Sequence, residues 1–221
     1  MVTRRIPRLA PLLVGVIVLV AATLVLTNVL PFGGGQPKLV GTNLNSTPAP
    51  EFRLTDASGH EISLAGLRGK AVALTFIYTS CPDVCPLITQ KFHQAYTQLG
   101  PDAGKVAFVA ITVDPETDTT QRIAEYSQAM GMAGKWDFLT GTRAELTPIW
   151  KAYGIGPVSA EQAALLVQKG PAAAQNNSAF QGVHSAVVYV IDPLGRERRL
   201  LDPDFTPTQL AGDLRSLAAS L

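Results

Sequence analysis

Three stretches of the chain are almost continuously apolar and rich in β-branched residues: Ala71–Tyr78 (AVALTFIY), Lys105–Val113 (KVAFVAITV) and Val183–Ile191 (VHSAVVYVI). Runs of this length without alternation suit strands buried on both faces, and such strands need helices to cover each side. The segments between them supply the helices. Pro86–Leu99 carries a helical stripe of Ile88, Phe92, Ala95 or Tyr96, and Leu99; Thr119–Met130 follows the second run. Trp136–Leu139 reads as a short strand before a helix at Arg143–Tyr153. The chain closes with a helix at Pro207–Leu221, with Thr206 as candidate N-cap, Pro207 in the first turn and Leu210, Leu214 and Leu217 as its stripe. Ahead of the first run, Phe52–Thr55 and Glu61–Leu64 alternate around Asp56-Ala57-Ser58-Gly59, the signature of a β-hairpin. Asp192-Pro193-Leu194-Gly195 turns into Arg196–Leu201, a second hairpin. The expected fold is α/β: a sheet flanked by helices on both faces, with an N-terminal β-hairpin. Ser159–Lys169 fits helix or strand, and Gly170–Ser178 reads as loop.

The first fifty residues differ from the rest. Residues 1–8 form a basic N-terminus with Arg4, Arg5 and Arg8, and no charge follows until Lys38. Within 9–30, Leu12–Leu30 is nearly all apolar; about nineteen helical residues span roughly 28 Å, close to the hydrocarbon core of a bilayer. A single transmembrane anchor is expected there, with the arginines on the cytoplasmic side and the remainder exported to a periplasmic or extracytoplasmic space. A cleaved signal peptide is the alternative, but the run exceeds the usual apolar length and Thr27-Asn28-Val29-Leu30 makes a poor cleavage site. Residues 31–50, rich in Gly, Pro, Asn and Ser, read as a flexible linker. That leaves 51–221 as one folded domain. Net charge is +1 and no basic run is longer than Arg196–Arg199, so nothing calls for a nucleic-acid partner.

Both cysteines of the chain, Cys81 and Cys85, lie in FIYTSCPDVCP, directly after the first buried run. Each is followed by proline, which biases it away from helical geometry and places both in the strand-to-helix turn, with Pro86 at the first helical position. In open α/β sheets ligands gather at this end of the strands, and a helix N-terminus there favours thiolates. Both sulfurs are therefore expected to be close together, partly ionised and accessible. A stabilising disulfide is a poor account, because so short a loop restrains the unfolded chain little and a domain of this size needs no staple. A redox pair and a soft-metal grip remain.

Two thiolates alone bind Cu(I), Zn(II) or nothing, and a third ligand decides. The chain has three histidines. His60 sits in the hairpin turn and His93 on the polar face of a helix, so both are expected to meet water. His184 starts a buried strand after a long loop that can lie at the same sheet edge as the cysteine turn. Two thiolates and an imidazole suit Cu(I), accept Cu(II), and leave Zn(II) short of its usual four ligands. Met130 and Met132 read as a packed helix end rather than a thioether site, and Asp114 as a turn residue first and a site neighbour second.

With these residues in view, the chain resembles the Sco/SenC family of membrane-anchored copper chaperones. The resemblance is carried by Phe52–Asp56 with Gly59, Gly69-Lys70, Phe76–Pro86, Thr112–Glu116 with Asp118-Thr119, Leu139–Gly141, His184-Ser185, and Tyr189–Pro193 with Gly195. It implies a thioredoxin-like fold, copper ligands at Cys81, Cys85 and His184, and delivery to the dinuclear copper A centre of cytochrome c oxidase. A periplasmic copper donor or thiol reductant would be a further partner. Members often carry an acidic residue just before the ligand histidine; this chain has Val183. The rival reading is a thiol-disulfide oxidoreductase that keeps the oxidase copper-site cysteines reduced, although such enzymes commonly place two residues between the cysteines. A peroxidase is weaker, since Tyr78 and Leu74 stand where peroxiredoxins have Thr or Ser and Pro.

Overall fold

The computed structural model describes residues 39–159, Glu161, Gln162, Ala164, Gln168 and residues 187–220. The expected anchor at 9–30, the linker up to residue 38, and His184 lie outside the described residues. Among the described residues no helix is long and apolar enough to cross a membrane.

The described domain is built on one sheet. Its strands are β1 (Thr42–Pro48), β2 (Arg53–Asp56), β3 (Glu61–Ser63), β4 (Ala71–Ile77), β5 (Val106–Thr112), β6 (Asp137–Thr140), β7 (Val188–Ile191) and β8 (Arg196–Leu201), in the spatial order β1-β8-β7-β4-β5-β6-β2-β3. Helix α1 (Val84–Leu99) links β4 to β5, α2 (Thr120–Ala129) links β5 to β6, α3 (Arg143–Ala152) follows β6, and α4 (Pro207–Ala218) closes the chain. β4 pairs in parallel with β5 from Ala71↔Val106 to Ile77↔Thr112, and β6 lies parallel to β5. β7 runs antiparallel to β4, and β8 to β7.

Every residue of β4 and β5 is buried. Strand alternation sends Ala71 and Ala73 of β4, with Val106 and Phe108 of β5, toward α1 and α4. There they meet Phe92, Ala95, Leu99, Leu210, Leu214 and Leu217, and Phe92 packs edge-on to Phe108 with centroids 5.1 Å apart. Val72, Leu74 and Phe76, with Val109 and Ile111, point the other way to Ile123, Leu146, Ile149 and Trp150 of α2 and α3. The two-faced sheet read from the apolar runs is thus present, as is the first hairpin, β2 with β3. Thr206 caps α4 in a reciprocal capping box with Gln209.

Two expectations need correction. Part of the supposed linker is sheet: β1 pairs with β8 from Thr42↔Leu200 to Pro48↔Arg196. The strand is an edge with exposed side chains on both faces, so it carries no apolar alternation to read. Its ladder also shifts between Asn43 and Thr47, where Asn45 and Ser46 take left-handed φ of 57° and 58°. Gly41 leads into it at φ +83°, where a Cβ would fall 2.4 Å from the Leu200 carbonyl oxygen. Second, α1 starts at Val84, so Cys85 lies inside the first helical turn and Pro86 follows it there. Proline is tolerated in that turn because the first four N–H groups have no acceptor within the helix. Of the third apolar run, residues 183–186 lie outside the described residues, and Val188–Ile191 is strand.

The start of the domain is held by a buried acid. The Val40 N–H donates to Asp213 of α4, at 3.0 Å to Oδ2, and the Arg199 guanidinium donates to the Leu39 carbonyl at 3.4 Å. Burial pushes the Asp213 carboxyl up to about 6, against the partial relief of that N–H and of Arg199. A raised acid pKa means that the folded state holds the proton more tightly than the unfolded chain. Its contribution to stability is full below about pH 4 and is lost as pH rises through about 6. Asp213→Asn is expected to flatten the fall in stability between pH 4 and 7, measured as the urea midpoint; an unchanged slope would remove Asp213 from the account.

Candidate metal-binding dithiol site

The polypeptide leaves β4 at Ile77 and turns within Tyr78–Cys81, the Cys81 N–H donating to the Tyr78 carbonyl at 3.3 Å. Pro82 keeps Cys81 out of helical geometry, and α1 begins two residues later, which presents Cys85 back toward Cys81. Both cysteines are unpaired thiols, and each sits in the core cluster beneath α2 and α3. Cys81 is 9 % exposed and Cys85 3 %, so the pair is screened rather than accessible.

The two sulfurs are hydrogen-bonded to each other, and their surroundings pull them apart electrostatically. The Cys85 thiol donates to Cys81, which also accepts from the backbone N–H groups of Asp83 and Cys85 and from the Tyr78 hydroxyl. These donors outweigh burial and bring Cys81 down to about 6. Cys85 is pushed well above its ordinary value, first by burial and then by serving as donor to Cys81 and by the Cys81 charge. The expectation of two partly ionised sulfurs is therefore half right. One is a stabilised thiolate and the other a retained thiol.

Several groups around the pair are not readable from spacing. Asp118, 1 % exposed, accepts from the Thr79 N–H at 3.0 Å, the Thr79 hydroxyl at 2.5 Å and the Thr112 hydroxyl at 2.6 Å. Burial nonetheless lifts its carboxyl to about 6. The Thr89 hydroxyl donates to the Cys85 carbonyl at 2.8 Å and lies 2.9 Å from the Tyr126 hydroxyl. Asp114 is the turn residue expected, its carbonyl accepting from the N–H groups of Thr117 and Asp118. It is also a site neighbour: fully buried, close enough to Tyr78 to disfavour its ionisation, and without a hydrogen-bond partner for either carboxyl oxygen among the described residues. Burial raises its pKa.

The other expected positions are placed as follows. His60 is exposed in the hairpin turn beside Asp56, with Nδ1···Oδ2 at 3.4 Å. His93 is not simply facing water, for its Nε2 lies 3.1 Å from Lys135 Nζ and its ring covers Gly131. Met132 is fully buried, as a packed helix end requires. Among the described residues no group of three or more His, Cys, Asp or Glu side chains could hold a metal ion, so the donors in view are the two sulfurs.

A mixed α/β sheet flanked by helices, with a close cysteine pair where a central strand passes into a helix, defines a thioredoxin-like dithiol protein. More narrowly, the SCO1/SenC family profile matches residues 41–219, and the chain belongs to that family. The mitochondrial SCO2 homologue of Bos taurus is 34% identical over 124 residues, covering 51% of this chain and 44% of that one. The mitochondrial SCO1 homologue 1 of Arabidopsis thaliana is 29% identical over 143 residues, 64% of this chain and 38% of the other. This chain thus spans about half or less of the length of these relatives. The ScoI structure from Bradyrhizobium japonicum, solved with copper bound, superposes with a TM-score of 0.62 at 27% identity, covering 77% of this chain and 99% of that one. Apo Sco1 from Thermus thermophilus superposes at 0.63 and 26% identity, covering 83% and 99%.

Proposed function

We propose that this protein is a copper chaperone for cytochrome c oxidase assembly, which carries copper between Cys81, Cys85 and His184 and hands it to the dinuclear copper A centre. The apolar run at 9–30 would anchor it in the cytoplasmic membrane, with the folded domain on the periplasmic or extracytoplasmic side. Family membership and a copper-bound relative of the same fold support the cargo. The donor chemistry fits, since two adjacent sulfurs and an imidazole favour Cu(I) and tolerate Cu(II).

The observation that carries the ligand set is where β7 begins. Val188 pairs with Thr75 near the carboxyl end of β4, and the Val187 carbonyl accepts from the Thr75 hydroxyl at 3.0 Å. The third run therefore joins the sheet at the end where the cysteine turn lies. His184 precedes Val187 by three positions (184 to 187), a reach of at most about 10 Å of extended chain. Uptake would use the Cys81 thiolate first and displace the Cys85 proton second, so loading releases protons and weakens at acid pH. Release would follow by ligand exchange, an incoming partner thiolate entering before the donor sulfurs leave. Anaerobic copper titration of the reduced full chain tests this: one copper per chain with thiolate charge-transfer bands is expected, and fully reduced protein that takes no metal would overturn it.

The unequal thiols favour a second reading. A stabilised thiolate paired with a retained thiol suits disulfide exchange: Cys81 would attack a substrate disulfide and Cys85 would then release the mixed disulfide. The oxidase copper-site cysteines are the substrate this reading names.

A further inference from the structure

Asp118 is a buried acid beside the dithiol whose carboxylate takes three donors. It lies just ahead of Thr119, the N-cap of α2, and its own N–H donates to the Asp114 carbonyl at 2.9 Å, so a rigid turn and a helix start hold it. One carboxyl oxygen takes both donors of Thr79, at 3.0 and 2.5 Å. The other takes the Thr112 hydroxyl at 2.6 Å, and that hydroxyl oxygen accepts from the Asp114 N–H at 3.0 Å. Thr112 ends β5 and pairs with Ile77 at the end of β4. Thr79 is a central residue of the turn that delivers Cys81.

We propose that Asp118 is the positioning residue of the dithiol: its carboxylate pins Thr79, and through it the Tyr78–Cys81 turn, to the end of the neighbouring strand, keeping the two sulfurs within bonding reach before any metal arrives. Pro82 keeps Cys81 out of helical geometry, and the Cys81 N–H closes the turn on the Tyr78 carbonyl at 3.3 Å. Side chains on such a turn keep a fixed separation when the turn is also held from outside. A carboxylate accepting three donors supplies that hold from the opposite wall. Asparagine is a weaker substitute: its one oxygen can still face Thr79, but the charge that strengthens these bonds is gone and its amide nitrogen meets the Thr112 hydroxyl as a donor instead of an acceptor.

That role rests on the thiol pair being the working group of the site, as proposed above. The measurement needs no metal, so a chain that failed to take copper would refute the copper reading and leave this result standing. The readout is the equilibrium of the full chain with dithiothreitol. One S–S bond breaks in the oxidised reagent and one forms between Cys81 and Cys85, and both thiol protons end on the reagent. The constant measures how closely the two sulfurs are held. Asp118→Asn is expected to lower it about tenfold, the size of effect that losing buried hydrogen bonds produces. Thr79→Val should lower it similarly, and the double variant should fall little further, because both changes cut one bridge. Thr79→Ser keeps the hydroxyl and should restore the wild-type constant. A constant within twofold of wild type in Asp118→Asn, or full additivity in the double variant, would overturn the assignment. Should Asp118→Asn fail to fold, the contrast between Thr79→Val and Thr79→Ser decides from the other end of the bridge: equal constants refute it.

Discussion

Alanine at Cys81, at Cys85 or at His184 is expected to abolish stable stoichiometric copper binding, each alone. A three-donor site has no spare ligand, and two donors hold a metal too loosely to survive dialysis against a competing chelator. The loss should exceed the about 10–100-fold that removal of a supporting group costs a metal site. The three variants should differ in their aftermath. Cys85→Ala leaves Cys81 without the hydrogen bond that does most to stabilise its thiolate, so residual metal on Cys81 should weaken further as pH falls. His184→Ala leaves the dithiol intact and should retain disulfide exchange at the wild-type rate. That contrast separates the two readings of the site, because an oxidoreductase has no use for the imidazole. Competition titration with a Cu(I) chelator checks the prediction. Wild-type affinity in His184→Ala would remove the histidine from the ligand set and leave the exchange reading ahead.

The central layer of the fold was legible because burial on two faces writes itself into composition. β4 and β5 match the apolar runs to within a residue at either end. Thr206 was legible as a cap for a similar reason, since its side chain acts on the backbone a turn away. What could not be read depends on neighbours remote in sequence. β1 owes its existence to the free edge of β8, and its own residues show neither face buried. The start of α1 was misplaced because Pro86 fits anywhere in the first turn, and tertiary packing of Cys85 decided the register. The cysteines themselves announced a site, but their inequality rests on which sulfur donates to which, and on N–H groups of Asp83 and Cys85 aimed at one of them. Asp118 shows in sequence as part of a matching motif, with no role attached. Its importance comes from Thr79 and Thr112, brought to it by parallel pairing of two strands.

That inequality predicts a difference in reactivity that can be read directly. In the reduced, metal-free protein iodoacetamide is expected to alkylate Cys81 well ahead of Cys85. At pH 7 a thiol titrating at about 6 is about nine-tenths thiolate, whereas one above its ordinary 9.0 is about one-hundredth or less. A thiolate of lower pKa is intrinsically a weaker nucleophile, with a Brønsted slope of about 0.4–0.5, which takes back part of that advantage. The net preference for Cys81 remains at least about threefold, and the deeper burial of Cys85 widens it. Labelling of Cys81 should fall about tenfold per unit of pH below 6 and level off above 7, because the reactive form is the deprotonated one. In Cys85→Ala the midpoint should move up toward 9.0, since the leading cause of the depression is gone while burial still opposes the charge. Mass mapping of the labelled peptides across pH 5–9 measures all three quantities. Equal labelling of the two cysteines, or a Cys81 midpoint near 9.0 in the unmutated chain, would show that the first turn of α1 does not hold a thiolate, and the order of events proposed for metal uptake and for disulfide exchange would fall with it.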